Sequence, residues 1–322
     1  MKSFDVLDHM SPPRFVEKPL HAPLDTEIQV KIRACALNFA DLLMIKGTYQ
    51  ETPKPPFTLG LEVAGEITAL GADVVDFKIG DRVCVFCGAG GLSEYGNFEA
   101  DRATLLPKNL EFSTAAAFQI AYGTSHVALH HQARLRHGER VVVLGAAGGV
   151  GLTAVELAKD SGAEVVAVAR GADKLAIAQQ AGADHLIDAQ GADLNRTLKD
   201  MGGVDIVYDA IGGTLAEGAL RALRTDGRFL IIGFASGDVP TLKPNHMLVK
   251  NISAHGLYWG GYLKSKPEVV KQSLIDVLGR IASGHLRPHI SHRFAFDQCQ
   301  EALDTLKARQ STGKIVIEID HE

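Results

Sequence analysis

Val141-Val-Val-Leu-Gly-Ala-Ala-Gly-Gly-Val-Gly151 decides the fold. A β-branched apolar run feeds directly into a glycine-rich turn. A helix-compatible apolar pattern, Leu152–Ser161, opens after it. In a dinucleotide fold such a turn must bring backbone N–H groups against a pyrophosphate. A Cβ at the point of closest approach would obstruct it. Gly148 and Gly151 occupy the second and third glycine slots of G-x-G-x-x-G, and Ala146 stands in the first. Ala147, Gly149 and Val150 complete the phosphate-facing turn. A tight strand-to-helix turn without a ligand is the alternative. The strand–turn–helix context favours the nucleotide.

Working outward, residues 118 to 260 alternate apolar strands with helical patterns. The expected strands are Arg140–Gly145, Glu164–Ala169, His185–Ile187, Ile206–Asp209, Arg228–Gly233 and Asn251–Leu257. Strand and helix repeated in this way predict a Rossmann-type doubly wound parallel sheet covered on both faces. Residues 1 to 117 read differently. Short alternating runs such as Glu27–Ile32 and Glu62–Ala69 are broken by Gly and Pro, and predict a β-rich domain. After residue 260 come two helical patterns, Lys266–Ser283 and Asp297–Arg309, and a strand, Lys314–Ile319. One strand makes no domain by itself. The expected organisation is therefore a nucleotide-binding domain, 118–260, inserted in a catalytic domain formed by 1–117 and 261–322.

The end of the second Rossmann strand selects the cofactor. An NAD site usually carries Asp or Glu there to hold the ribose 2′-OH. This strand ends instead at Arg170, whose planar fork of donors suits a 2′-phosphate. Lys174 adds a second positive charge, with Asp173 between them. The expectation is NADPH rather than NADH. Two later strand ends, Tyr208-Asp-Ala-Ile-Gly-Gly213 and Ile232-Gly-Phe-Ala-Ser-Gly237, are expected to line the rest of the nucleotide. Ligands of open α/β sheets lie at the carboxyl ends of strands. Asp209 is equally readable as a helix N-cap.

The chain has 322 residues, 46% hydrophobic and 22% charged, with a formal net charge of −5. That length suits two domains with cores of their own. An acidic balance without a basic patch argues against nucleic acid and anionic membranes as partners. The start, MKSFDVLDHM, has no apolar signal core, and the longest apolar runs are too short to span a bilayer, so a cytoplasmic protein is expected. Four scattered cysteines suggest no disulfide framework, and Cys84-Val-Phe-Cys87 reads as a strand end rather than a zinc knuckle or redox pair.

Further motifs carry a resemblance. They are Asn38-Phe-Ala-Asp41 with Gly47-Thr-Tyr49, Leu59-Gly-Leu-Glu-Val-Ala-Gly65, Gly80-Asp-Arg-Val83, Gly182-Ala-Asp184 and Gly313-Lys-Ile-Val316, together with the turn above. Over nearly its whole length the chain resembles the medium-chain dehydrogenase/reductase superfamily, in its zinc-free, zeta-crystallin-like quinone oxidoreductase branch. The resemblance implies a β-rich GroES-like catalytic domain around the Rossmann domain. Zinc-dependent members carry Cys where this chain has Asn38 and His where it has Leu61; only the adjacent carboxylate, Glu62, remains. No metal is expected, because a catalytic zinc needs three protein ligands and an open position. The structural four-cysteine lobe is also missing.

Without a Lewis acid, reduction of a quinone or enone is the least demanding chemistry. Hydride adds to an electrophilic carbon, and a hydrogen-bond donor at the conjugated oxygen suffices. By resemblance Asn38 and Tyr49 are the catalytic candidates, with Asp41 orienting their segment or capping its helix. The expected cofactor contacts are Thr124, Ala147, Gly148, Gly149, Val150, Gly151, Arg170, Lys174, Asp209, Ile211, Gly233, Phe234, Ala235 and Lys314. Relatives often have tyrosines at the positions of Leu43 and Ala189. The aromatic run Tyr258-Trp259-Gly-Gly-Tyr262 suits a cleft for flat ligands or a subunit interface. A homodimer is expected from the family's pairing of the strand before it. The alternatives are an enoyl-thioester or enal reductase of the same superfamily, or a nucleotide-binding protein without turnover.

Overall fold

The computed structural model describes residues 1–191 and 193–321. Two compact units divide the chain: Met1–Ile120 with Pro288–Glu322, and Ala121–Arg287. The second unit is a six-stranded, wholly parallel sheet. Its spatial order is His185–Asp188, Glu164–Ala169, Arg140–Leu144, Val204–Asp209, Leu223–Ile231 and Ser253–Gly256. In chain order that is 3-2-1-4-5-6, the doubly wound arrangement whose direction reverses beside the first strand. Val141 to Leu144 are all 0% exposed. Val142 and Leu144 pack with Val166, Val207, Phe229, Leu198 and Ala219 in one cluster. On the other face Tyr208 hydrogen-bonds Ser125 at 2.8 Å, and Ser125 bonds Thr153 of helix Gly149–Asp160 at 2.8 Å. Both faces are covered, so the strand reads as a continuous apolar run rather than an alternating one.

In the first unit a seven-stranded sheet runs in the order Ile290–Ala295, Lys314–Glu318, Glu27–Leu37, Glu62–Leu70, Arg82–Phe86 and Ala103–Leu105, with Tyr95–Glu99 also pairing Glu27–Leu37. A smaller sheet joins Arg14–Glu17, Lys2–Val6 and Phe57–Thr58. The terminal strand lies antiparallel to Glu27–Leu37, with Ile315 opposite Leu37. Strand Lys314–Glu318 therefore belongs to the β-rich unit.

The crossings between units fall at 120/121 and 287/288, where 117/118 and 260/261 are expected from the sequence. Helix Pro267–Ala282 accounts for most of the difference. It buries Val270, Leu274, Val277, Leu278 and Ile281 on one stripe, as an amphipathic helix must. That stripe packs in the second unit, against helix Trp259–Ser265 and the π-helical turn Val127–Gln132. Trp259 is likewise internal, 4% exposed and lodged against Gly123. Strand Leu223–Ile231 also starts five residues before the expected Arg228, because a register shift after Val204 and a left-handed Asp226 (φ 61°) absorb the Thr-Asp-Gly stretch within the strand. Among the described residues no helix is long and apolar enough to cross a membrane.

Candidate functional site

Asn38 is the extended residue (φ −129°, ψ 157°) before helix Phe39–Ile45. Its side-chain amide turns away from the helix. Nδ2 donates to Glu62 Oε1 at 2.9 Å, and Oδ1 accepts from Lys314 Nζ at 2.6 Å. Register explains the meeting. Glu62 sits opposite Ala36 on the neighbouring strand, and Lys314 precedes the Ile315–Leu37 pair on the other side. Lys314 Nζ also reaches Glu62 Oε1 at 2.8 Å and the Leu37 carbonyl at 2.9 Å. Glu62 Oε2 accepts the Ile120 N–H at 2.9 Å. Glu62 is 0% and Lys314 4% exposed. A buried pair of this kind persists only when its remaining donors and acceptors are satisfied, and here they are.

An ammonium has three donors, and all three of Lys314's are used inside this network. Lys314, expected among the cofactor contacts, is the counter-ion of Glu62 and the donor to Asn38 in this structure. The signal for this role was present in the sequence, since Glu62 had lost the partners that the resemblance assigns it. What was missing was the strand register that brings position 314 beside it.

Asp41 completes the assembly. Its carboxylate accepts the N–H of Asn38 at 2.8 Å and of Gly60 at 3.2 Å, so it both reaches back over the helix start and pins the neighbouring loop. It is wholly buried, and burial pushes its pKa up to about 7, opposed by the two backbone donors and Lys314. The folded chain therefore keeps a proton that the unfolded chain, with an ordinary aspartate near 4, releases. Stability on this account is highest below about pH 4, falls as pH rises toward 7, and levels off above it. Asp41→Asn is expected to flatten that fall, with the slope between pH 5 and pH 8 in urea unfolding as the readout. An unchanged slope would place the proton elsewhere.

Tyr49 is half-buried in the turn after the helix, where Thr52 binds the Tyr49 carbonyl through its N–H (3.2 Å) and its hydroxyl (2.8 Å). Cys84 is buried in strand Arg82–Phe86, and Cys87 donates to the Gly60 carbonyl at 3.3 Å. Burial pushes both thiols well above their ordinary range. They are poor thiolate ligands or nucleophiles, since reactivity belongs to the thiolate. Among the described residues, no three His, Cys, Asp or Glu side chains are arranged to hold a metal.

In the second unit the glycine turn has the expected form. Gly148 caps helix Gly149–Asp160 with no side chain bonded to the helix's first amides. A Cβ on Gly151 would lie 2.1 Å from the Gly145 carbonyl oxygen, so this glycine is required by the turn itself. A Cβ on Gly148 would meet only that oxygen, at 3.4 Å. The space over Gly148 is open, at the end of a helix where amides and dipole favour an anion. Ala147 is buried, Gly149 and Val150 are half-buried, and Thr124 is 7% exposed on helix Gln119–His126.

Asp209 ends its strand and binds the N–H groups of Ile211 and Gly212, each at 2.9 Å, through Oδ1. It therefore ties the turn rather than capping helix Gly213–Arg221, whose N-cap is Gly212. Asp209 Oδ2 is buried with no hydrogen-bond partner among the described residues, and burial raises its pKa. The loop carrying Gly233, Phe234 and Ala235 is laced to this turn. Ala235 N–H reaches the Ala210 carbonyl at 3.1 Å, and Ser236 N–H reaches the Ile211 carbonyl at 2.9 Å. Arg170 is exposed beyond strand Glu164–Ala169, with Lys174 half-buried one turn into helix Ala172–Gln180. The sequence places no carboxylate on that strand tip, but the next strand supplies one. Asp188 pairs in register with Ala169, and its Oδ1 accepts the N–H of Gln190 (2.9 Å) and of Gly171 (3.4 Å).

These features have parallels in known proteins. Residues 24–108 match the alcohol dehydrogenase GroES-like domain, and residues 149–278 match the family described as zinc-binding dehydrogenase. A quinone oxidoreductase-like protein 2 homolog from Nematostella vectensis is 37% identical over 298 residues, covering 91% of this chain and 81% of that protein. The crystal structure of Escherichia coli quinone oxidoreductase complexed with NADPH superposes with a TM-score of 0.91 at 28% identity, covering 99% of this chain and 100% of the other. The CurK enoyl reductase superposes at 0.88 with 25% identity and 99% coverage of each chain. The chain belongs to the medium-chain dehydrogenase/reductase superfamily, in its quinone oxidoreductase branch, and is an oxidoreductase of that family.

Proposed function

We propose that this chain reduces quinones or related activated alkenes with NADPH, by hydride transfer and without zinc. The observation that carries the reading is the charge network at Asn38. A metal centre at this place does not fit the residues present. The Glu62 carboxylate is taken up by an ammonium, an amide and a backbone N–H, and an amide and an aliphatic side chain stand at positions 38 and 61. The nucleotide fits the other unit, with open space over Gly148 and, among the described residues, no side chain on the helix's first amides and no partner for the Asp209 Oδ2.

When bound, NADPH supplies the hydride. The chain's own residues do the rest. Asn38 presents an amide N–H to the substrate oxygen on which negative charge gathers. Tyr49 offers a flat face for a ring and a hydroxyl for the proton. Arg170 and Lys174 hold the 2′-phosphate. Arg170→Ala is expected to lower kcat/KM for NADPH roughly ten- to hundredfold, since hydrogen bonds to charged groups contribute about 1.5–3 kcal/mol. Its effect on NADH should be small. Equal losses with both nucleotides would remove Arg170 from the 2′-phosphate site.

The enzyme reading is tested by NADPH consumption with a panel of quinones, enals and enoyl thioesters. The quinones should be turned over fastest. Preference for thioesters would move the chain toward the CurK-like reaction, and no turnover with any of them would leave a nucleotide binder. The same reading includes a homodimer and a cytoplasmic location. Strand Ser253–Gly256 is an edge of its sheet, and the adjacent helix Pro244–Lys250 exposes Leu248 and Val249 at 76% and 77%. Uncovered edges invite pairing. Sedimentation at micromolar concentration should give a dimer; a monomer would refute that part.

A further inference from the structure

The four members of the network differ in one respect. Asp41, Glu62 and Lys314 are buried, and Asn38 alone is half-exposed. The buried ion pair is thus bonded, at both members, to the amide of this half-exposed residue. The two ends of that amide are held by opposite charges: an ammonium 2.6 Å from Oδ1 and a carboxylate 2.9 Å from Nδ2. These partners fix which end is oxygen and which is nitrogen. The second Nδ2 hydrogen has only a long contact, 3.4 Å, to the Ala36 carbonyl.

We infer that Lys314 is a positioning residue for the reaction, acting through Asn38. A cation on an amide oxygen draws density from the nitrogen and makes the remaining N–H a stronger donor, because linked hydrogen bonds polarise one another in a low dielectric. Glu62 anchors the other hydrogen and stops the amide from flipping. The other N–H, held only by the 3.4 Å contact to the Ala36 carbonyl, is the one that can turn to a substrate oxygen, strengthened by a charge that never touches the substrate. Charge stabilisation of this kind matters most when negative charge develops, so it acts on the chemical step more than on binding. The inference rests on the proposed reduction of quinones and specifies which part of the chain tunes it.

The test is a kinetic cycle on the whole 322-residue chain with NADPH and a good quinone substrate. Lys314→Met is expected to lower kcat on the order of ten- to a hundredfold, by analogy with the loss when a partner that orients a metal ligand is removed. KM for quinone and Kd for NADPH should stay within about twofold. Lys314→Met combined with Asn38→Ala should lose no more than Asn38→Ala alone, because both changes break one device. Near wild-type kcat in Lys314→Met, or losses that multiply in the double variant, would overturn the inference. Should Lys314→Met not fold, the neutral pair Glu62→Leu with Lys314→Met replaces it. The same fall in kcat is expected there, and wild-type kcat would again refute it. Failure of the wild-type protein to oxidise NADPH with any quinone would instead sink the proposed function, so the two failures are distinguishable.

Discussion

Glu62→Leu alone is expected to destabilise the protein by about 3–5 kcal/mol, the usual loss when one partner of a buried pair is removed. The change leaves the Lys314 ammonium, 4% exposed, without its carboxylate. It also strands one hydrogen of the Asn38 amide and the Ile120 N–H. Adding Lys314→Met to Glu62→Leu should restore most of the loss, because two apolar side chains of similar volume cost far less than one unpaired buried charge. Equilibrium unfolding of the two single variants and the double gives the coupling directly. A cost below about 1 kcal/mol for Glu62→Leu is the range of an exposed pair, and would mean that water reaches the ammonium.

The second large effect is expected at the glycine turn, where two neighbouring substitutions should behave differently. Gly151→Ala places a Cβ 2.1 Å from the Gly145 carbonyl oxygen and 2.7 Å from its carbon. Backbone must move, so both stability and nucleotide binding should suffer, with NADPH affinity falling at least roughly a hundredfold, about 2.7 kcal/mol. Gly148→Ala meets only the Gly145 oxygen, at 3.4 Å, and Gly148 has a φ of −79° that alanine adopts freely. Its Tm should therefore stay near wild type. Its NADPH affinity should fall all the same, because the added methyl occupies the approach to the helix amides. A Gly148→Ala protein with normal NADPH affinity would mean that the pyrophosphate does not lie over this turn.

Much of the nucleotide unit was legible in the sequence because its determinants are local. A buried parallel strand must be apolar throughout, a tight turn into a helix must be glycine where backbones touch, and Val141–Gly151 states both. The helix at Pro267–Ala282 was misplaced because amphipathicity shows that a face is buried but not against which unit. Asp209 was legible as a polar strand end, but whether it bonds ligand or its own turn depends on the dihedrals of Ile211 and Gly212. Asp188 was passed over because its place beside Arg170 follows from parallel register between two strands, which leaves no spacing signature. The same holds for Lys314. Position 314 is 276 residues from Asn38, and only the pairing of the final strand with Glu27–Leu37 puts the ammonium on that amide.

In the proposed function a buried ammonium and its amide serve without a metal, and the other unit holds the phosphorylated nucleotide. The most direct measurement is the rate of NADPH oxidation with para-benzoquinone by protein stripped with a strong chelator and assayed for residual zinc. Undiminished kcat is expected with zinc far below stoichiometric. Activity that vanishes on stripping and returns with added zinc would contradict it.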